Sequence, residues 1–378
     1  MEILAAIPHY GFWFLLLLTV LVFVHEYGHY IVARWCGVRV EVFSIGFGPE
    51  LIGRYDKHGT RWKISAIPLG GYVKMFGQGA NLLEGEAGKA MSAEDRKVAF
   101  DYKSVWRRMA IVAAGPVANY LFAALIFSVI FAVHGKDVTA PVVGEALAGS
   151  AAAKAGFQPG DRIVSLNGKA IDDFNDIAEF VQLNLDQEIA IAFERNGALQ
   201  TVTVQPTITT EKDALGNEVR LGRLGIKSAA GKSDRIDLGL GQAVYEGVAR
   251  VFDVSALMLK GVWQIVTGVR PADEIGGVVR IGYLSGEIAQ IGMWQLITFA
   301  AMLSVNLGLV NLFPIPLLDG GHLTYYAIEA ARGRPLGERT QEWGFRLGIA
   351  FVLGLMLFAT WNDLVFLDVI GKLRALFT

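Results

Sequence analysis

The sequence predicts a polytopic α-helical membrane protein of about four transmembrane helices, with a membrane-associated β-rich loop and one inserted β-rich α+β domain. Three observations predict it. The 378 residues are 53% hydrophobic and only 19% charged, with a mean hydropathy of +0.41, well to the apolar side of an ordinary soluble domain. Four segments, roughly 10–33, 109–133, 293–318 and 345–367, are apolar enough to cross a bilayer, which takes about 20 helical residues. Between the second and third lies a long polar stretch with the alternation and turn pairs of short strands.

Each element follows in order. Residues 1–36 hold the first span; residues 1–11 contain no Lys or Arg and no small-residue cleavage site follows, so the run reads as an uncleaved helix. Residues 37–105 are expected to form the membrane-associated β-loop region, because "VEVFSIGFGPELIGRYDKHGTRWKISAIPLGGYVKMFG" alternates apolar and polar residues between Gly-rich turns. The second span, 106–134, is uncharged from Met109 onward. Residues 138–228 read as a compact domain of short strands, with turns at Gly160-Asp161 and Asn167-Gly168 and a helix over 174–185. In 236–292, the apolar piece 243–266 is interrupted by Glu246, Arg250, Asp253 and Lys260, which suits an amphipathic interfacial helix followed by a connector. The third span belongs to 293–322. The fourth, 343–370, is the weakest, because its uncharged core stops before Asp363.

Lys+Arg 34 against Asp+Glu 36 leaves a net charge of -2, so no basic field argues for nucleic acid. The single cysteine, Cys36, excludes an intrachain disulfide framework and a Cys-based metal knuckle. Basic residues cluster at Arg34, Arg39, Arg54, Lys57, Arg61 and Lys63, at Arg107 and Arg108, and again at Arg332, Arg334, Arg339 and Arg346. By the positive-inside rule these connections are cytoplasmic, and the N-terminus and 134–292 lie on the other side; Lys372 and Arg374 run against this assignment.

The stretch "LVFVHEYGHYIVARW" at 21–35 carries two histidines and a glutamate inside a span, where such groups are costly and signal function. His25 and His29, four apart on a helix, project from one face as a zinc-ligand pair, and Glu26 lies beside them as a base for the attacking water. His25 is 13 residues beyond Phe12, about 20 Å at helical rise, so it sits inside a hydrocarbon layer about 30 Å thick. Catalytic zinc usually takes a third protein ligand. Asp319, ending an otherwise uncharged run, is preferred over His322, which follows two glycines outside it. Pro314 and Pro316 break the helix before Asp319, and the freed backbone must be buried or line a wet cavity, where extended substrate would pair.

"HEYGH" in a first span, "NLFPIPLLDGGH" in a later one, "GPVAN" at 115–119 and the PDZ-like pattern "AGF..GD.I...NG" in the insert make the chain resemble, over nearly its whole length, the site-2 protease family of intramembrane zinc metalloproteases. The resemblance implies that His25, His29 and Asp319 bind Zn2+ and that Glu26 is the general base. It implies that Asn311 contacts the substrate backbone or the developing oxyanion, and it makes Pro314 and Pro316 part of a substrate-binding segment. It also implies a bacterial inner (cytoplasmic) membrane location, with a periplasmic PDZ domain and an active site near the cytoplasmic side. The implied substrate is a single-span membrane protein such as an anti-sigma factor, or a remnant signal peptide, already cut once by another protease. Related bacterial enzymes often carry two tandem PDZ domains; this chain has room for one. Gly46, Gly48, Gly70 and Gly71 are expected to permit strand addition of an unwound substrate, against the plainer reading of turn glycines.

Two rivals stand beside this reading. A membrane zinc peptidase of the kind that acts on prenylated protein ends also uses HExxH, but needs a downstream glutamate ligand and has no PDZ domain. A non-catalytic PDZ scaffold or metal-sensing protein has no need of Glu26.

Overall fold

The computed structural model describes residues 2–78, 91–185, 187–212, 218–229 and 234–368. Parts of the expected 37–105, 138–228 and 343–370 segments therefore lie outside the described residues. The chain divides into two compact units: residues 1–127, 247–255 and 276–363 form one, and 128–246, 256–275 and 364–378 the other.

The N-terminal part runs through α1 (Glu2–Trp35), β1 (Val40–Tyr55), β2 (Arg61–Met75), α2 (Ala93–Val98) and α3 (Val105–His134). The inserted part holds β3 (Lys136–Val138), β4 (Val143–Ala146), α4 (Ala151–Lys154), β5 (Arg162–Leu166), β6 (Lys169–Ala170) and α5 (Phe174–Leu183). It continues with β7 (Ile189–Arg195), β8 (Ala198–Val204), β9 (Thr207–Lys212), β10 (Glu218–Arg223), β11 (Ile226–Ser228) and β12 (Asp234–Ile236). Helices α6 (Leu240–Val266), α7 (Val278–Ile291), α8 (Met293–Asn311), α9 (Asp319–Arg332) and α10 (Glu338–Phe366) complete the chain. Among the described residues, four helical stretches are long and apolar enough to span a membrane: Pro8–Trp35, Val105–His134, Met293–Asn311 and Arg339–Phe366. The third is shorter than the expected 293–318, because Pro314 and Pro316 cannot continue the helix past Asn311. The connector expected up to 292 contains a further helix, α7.

The first connection is a single hairpin whose long strands each fold back. Residues 42–45 pair with 61–64 on one side and with 71–74 on the other, and 52–55 pair with 61–64, so two strands supply four short ladder segments. The bends fall at Gly46, Gly48 and Gly70, with φ of +86°, +86° and +92°, a region open to glycine at no steric cost. Three of the four glycines expected to meet substrate are thus corners of the sheet. The ladders pack on the helices through Val40, Phe43 and Trp62 with Tyr30 and Ile111, the Phe43 and Trp62 rings stacking at 4.2 Å. The turn is pinned by Asp56, whose carboxylate accepts from Tyr30 OH at 2.9 Å, Trp62 Nε1 at 3.1 Å and the Thr60 and His58 backbone N–H groups at 2.9 and 2.8 Å. Burial alone would raise this carboxyl; the donors win and bring it from 3.8 down to about 2.

The second unit centres on the sheet β6-β5-β7-β8. Alternating Ile189, Ile191 and Phe193 point into a core with Ile163, Leu166, Ile177 and Val181. The turns lie where the sequence puts them: Asn167 and Gly168 adopt φ of +48° and +81°, as a tight hairpin requires. Helix α5 ends at Leu183, two residues short of the expected 185.

Candidate metal and active site

Helix α1 presents His25, Glu26 and His29 one turn apart. It approaches α3 closely because small residues face each other: a Cβ at Gly28 would fall 2.3 Å from the Ala114 carbonyl oxygen and 2.7 Å from Ala118 Cβ. Gly115 continues this contact, since a Cβ there would lie 2.3 Å from His29 Nε2 and 2.9 Å from His25 Cε1. With glycine at that place, both imidazoles come up against α3, edge to face with one another.

The third donor arrives from the far end of the chain. After α8 ends at Asn311, residues 312–318 run without helix, and Leu317 takes a φ of +97°. Asp319 then opens α9. The two glycines that follow let the first turn of α9 lie on this irregular segment: Cβ atoms at Gly320 and Gly321 would meet the Phe313 and Ile315 carbonyl oxygens at 2.2 and 2.4 Å. Asp319 Oδ2 reaches His25 Nε2 at 3.1 Å and His29 Nε2 at 3.3 Å, and the two Nε2 atoms are 3.3 Å apart.

This triangle fits a metal. Tetrahedral zinc with ligands at about 2.0–2.2 Å places its donor atoms about 3.3 Å from one another. Asp319 Oδ2 is buried and finds no hydrogen-bond donor among the described residues, a cost that a bound cation removes. His29 Nδ1 lies 2.9 Å from the Ile111 carbonyl oxygen, which can only accept, so its proton is on Nδ1 and Nε2 keeps a lone pair for the ion.

A cavity of about 280 Å³ opens on this triangle, lined by His25, Glu26, His29 and Asp319, by Asn311, Leu317, Leu318 and His322, and by Tyr72, Val73 and Met75 of the hairpin. Ladder segment 71–74 forms the edge of its sheet among the described residues, and it borders the cavity. Gly71 allows the approach, because a Cβ there would meet Val22 Cγ1 at 2.9 Å and Glu26 Cγ at 3.3 Å. His322 shares the cavity but is not part of the three-donor group. Pro314, Pro316, Gly46, Gly48, Gly70 and Gly71 do not line it. Pro316 instead packs on α10, where a Cβ at Gly348 would meet its carbonyl oxygen at 2.1 Å. The carbonyl of Ile111 and the side chain of Tyr72 were not singled out by sequence, and Asn119 entered only as the last residue of the "GPVAN" motif, with no role attached to it.

Residues 13–355 match the family described as Peptidase family M50. The chain belongs to this family. It is similar to a protein of Agrobacterium fabrum named "Putative zinc metalloprotease", 47% identical over 355 residues, which are 93% of this chain and 94% of that one. A protein of Rhizobium meliloti with the same style of name is 45% identical, covering 93% and 95%. "Metalloprotease MmpA" of Caulobacter vibrioides is 39% identical over 96% of this chain and 97% of its own. Among solved structures, the PDZ domain of the SdrC-like protein of Listeria monocytogenes aligns with 25% of this M50 chain and 88% of that domain at 16% identity and a TM-score of 0.19.

Proposed function

We propose that the chain is a zinc-dependent endopeptidase that hydrolyses a peptide bond within or beside the membrane-spanning segment of another membrane protein. The observation that carries this reading is the triangle of His25, His29 and Asp319 beside Glu26, on a helix long and apolar enough to span a bilayer. A bound zinc supplies a Lewis acid that makes water acidic enough to ionise near neutral pH.

The chain's own residues do the rest. Glu26, next to the ligand pair, accepts the proton of the attacking water and returns it to the leaving amine. Asn311, in the same cavity, offers its amide to the oxygen that becomes negative as the carbonyl is attacked. A helical substrate hides its scissile carbonyl in a hydrogen bond, so it must be drawn out first. The segment 71–74 is the edge of its sheet among the described residues, a place where an extended chain can add a ladder.

In this proposal the enzyme sits in a bacterial inner membrane, with the basic connections cytoplasmic and the β-rich insert on the periplasmic side. Its substrate is a single-span protein first trimmed by another protease, and the insert acts as a size filter against untrimmed ectodomains. The deciding experiment is a comparison in cells of wild type with Glu26→Gln, following a tagged single-span substrate. Accumulation of the trimmed, membrane-embedded fragment in the variant is expected. Equal turnover in both would sink the reading.

A further inference from the structure

Asn119 is completely buried in α3, 0% exposed, within a run of that helix, Met109 to Val133, that carries no charge. Its Nδ2 lies 3.0 Å from His25 Nδ1, while its Oδ1, equally buried, meets no donor among the described residues. A buried amide oxygen without a donor is unfavourable, because it has given up its water without a replacement. An imidazole that ligates through Nε2 carries its proton on Nδ1, and needs an acceptor there. His29 has one in the Ile111 carbonyl. For His25, the group at that place among the described residues is the Asn119 amide. Its two ends have nearly the same shape but opposite hydrogen-bonding sense, so half a turn about the terminal bond sets Oδ1 against the Nδ1–H of His25. The same rotation gives the stranded oxygen its donor.

Residues 111, 115 and 119 are spaced four apart and form one stripe of α3 against α1. Ile111 and Asn119 supply an acceptor to each imidazole, and Gly115 supplies the space. We infer that Asn119 is a positioning residue for the metal centre: its side-chain oxygen holds His25 in the tautomer and orientation that leave Nε2 free for the ion. The inference rests on the zinc reading given above, and concerns one residue that this reading did not use.

The test uses the full chain in detergent and reads zinc affinity by competition with a chelator, independent of peptidase activity. Asn119→Leu, close in size but without an acceptor, is expected to weaken zinc about 10–100-fold. Asn119→Asp, which keeps an acceptor at the same atom, is expected to stay within about threefold of wild type, as carboxylate–histidine–zinc arrangements do. Wild-type affinity in the Leu variant overturns the inference, as does an Asp variant that loses as much as Leu. If the Leu variant fails to fold, the Asp variant decides alone, because a donor role for the amide would make its carboxylate repel the His25 lone pair. Zinc held by wild type without any peptide hydrolysis would count against the proposed function and leave the role of Asn119 standing. A wild type that binds no zinc would overturn both.

Discussion

His25 Nε2 and Asp319 Oδ2 stand 3.1 Å apart, although one belongs to the first helix and the other to the ninth. Two acceptor atoms do not approach so closely without a cation or proton between them, and the third corner, His29 Nε2, is at 3.3 Å from each. Purified protein is expected to hold about one zinc per chain. His25→Ala, His29→Ala and Asp319→Ala should each lower occupancy at least about tenfold, whereas His322→Ala should not. Metal analysis after dialysis checks this, and zinc lost with His322 but kept without Asp319 would reassign the third ligand.

Gly115 makes a sharper steric test. Its missing Cβ would occupy a point 2.3 Å from His29 Nε2, well inside contact distance, so Gly115→Ala should push the imidazole off the triangle. Zinc affinity is expected to fall about tenfold or more, with peptidase activity falling alongside it. Helical content, read by circular dichroism, should be unchanged, since alanine is the better helix former. An alanine variant with full zinc would show that α1 and α3 can part without consequence.

The Asp56 carboxyl gives a pH dependence outside the membrane-spanning helices. Its folded value, about 2 against an ordinary 3.8, is depressed. The stabilisation is therefore fully present above about pH 4 and is lost as pH falls through about 2. For a partly exposed group the shift is worth about 1–2 kcal/mol. Asp56→Asn should lower the melting temperature at neutral pH, and the gap to wild type should close in acid. A gap that stays constant with pH would assign the cost to lost hydrogen bonds rather than to charge.

Much of this architecture is legible in the sequence for plain reasons. The spans announce themselves by length and apolarity, and His25, Glu26 and His29 by being out of place in such a run. The pairing of His25 and His29 needs only helical spacing. Asp319 was reachable because a carboxylate at the end of an uncharged segment demands a partner. What local pattern could not give is the folding back of the hairpin: alternation in 40–75 signals strands, but the left-handed corners at Gly46, Gly48 and Gly70 look like ordinary turn glycines until the ladder is seen. The stripe of 111, 115 and 119 was equally hidden, because its meaning lies in what faces it across the helix pair. Helix α7 escaped notice since Gly282, Gly286 and the flanking glycines blur its apolar face.

Asp363 made the fourth span look weak, and the structure turns that weakness into a contact with a testable consequence. The residue is fully buried, 0% exposed, on α10. Its two carboxylate oxygens accept from the backbone N–H groups of Gly277 at 2.8 Å and Arg280 at 2.9 Å, and Arg280 Nε lies 3.3 Å away. Gly277 is the cap of α7 and offers no side chain of its own. The missing cap is thus supplied by a distant helix, as a negative charge at a positive helix end. Asp363→Leu would leave those N–H groups without an acceptor and Arg280 without this carboxylate, at a cost of about 3–5 kcal/mol. Asp363→Asn keeps one acceptor oxygen and should cost about 1 kcal/mol. The expected order of melting temperatures in detergent is wild type, Asn, Leu, and the Leu variant should be cut fastest by added protease around residues 268–277, where α7 begins. A Leu variant that melts and resists protease like wild type would mean that α7 is held without Asp363, by its packing on α8 and on α1, the latter through the Tyr10–Glu287 hydrogen bond and the contact of Gly286 with the Tyr10 ring.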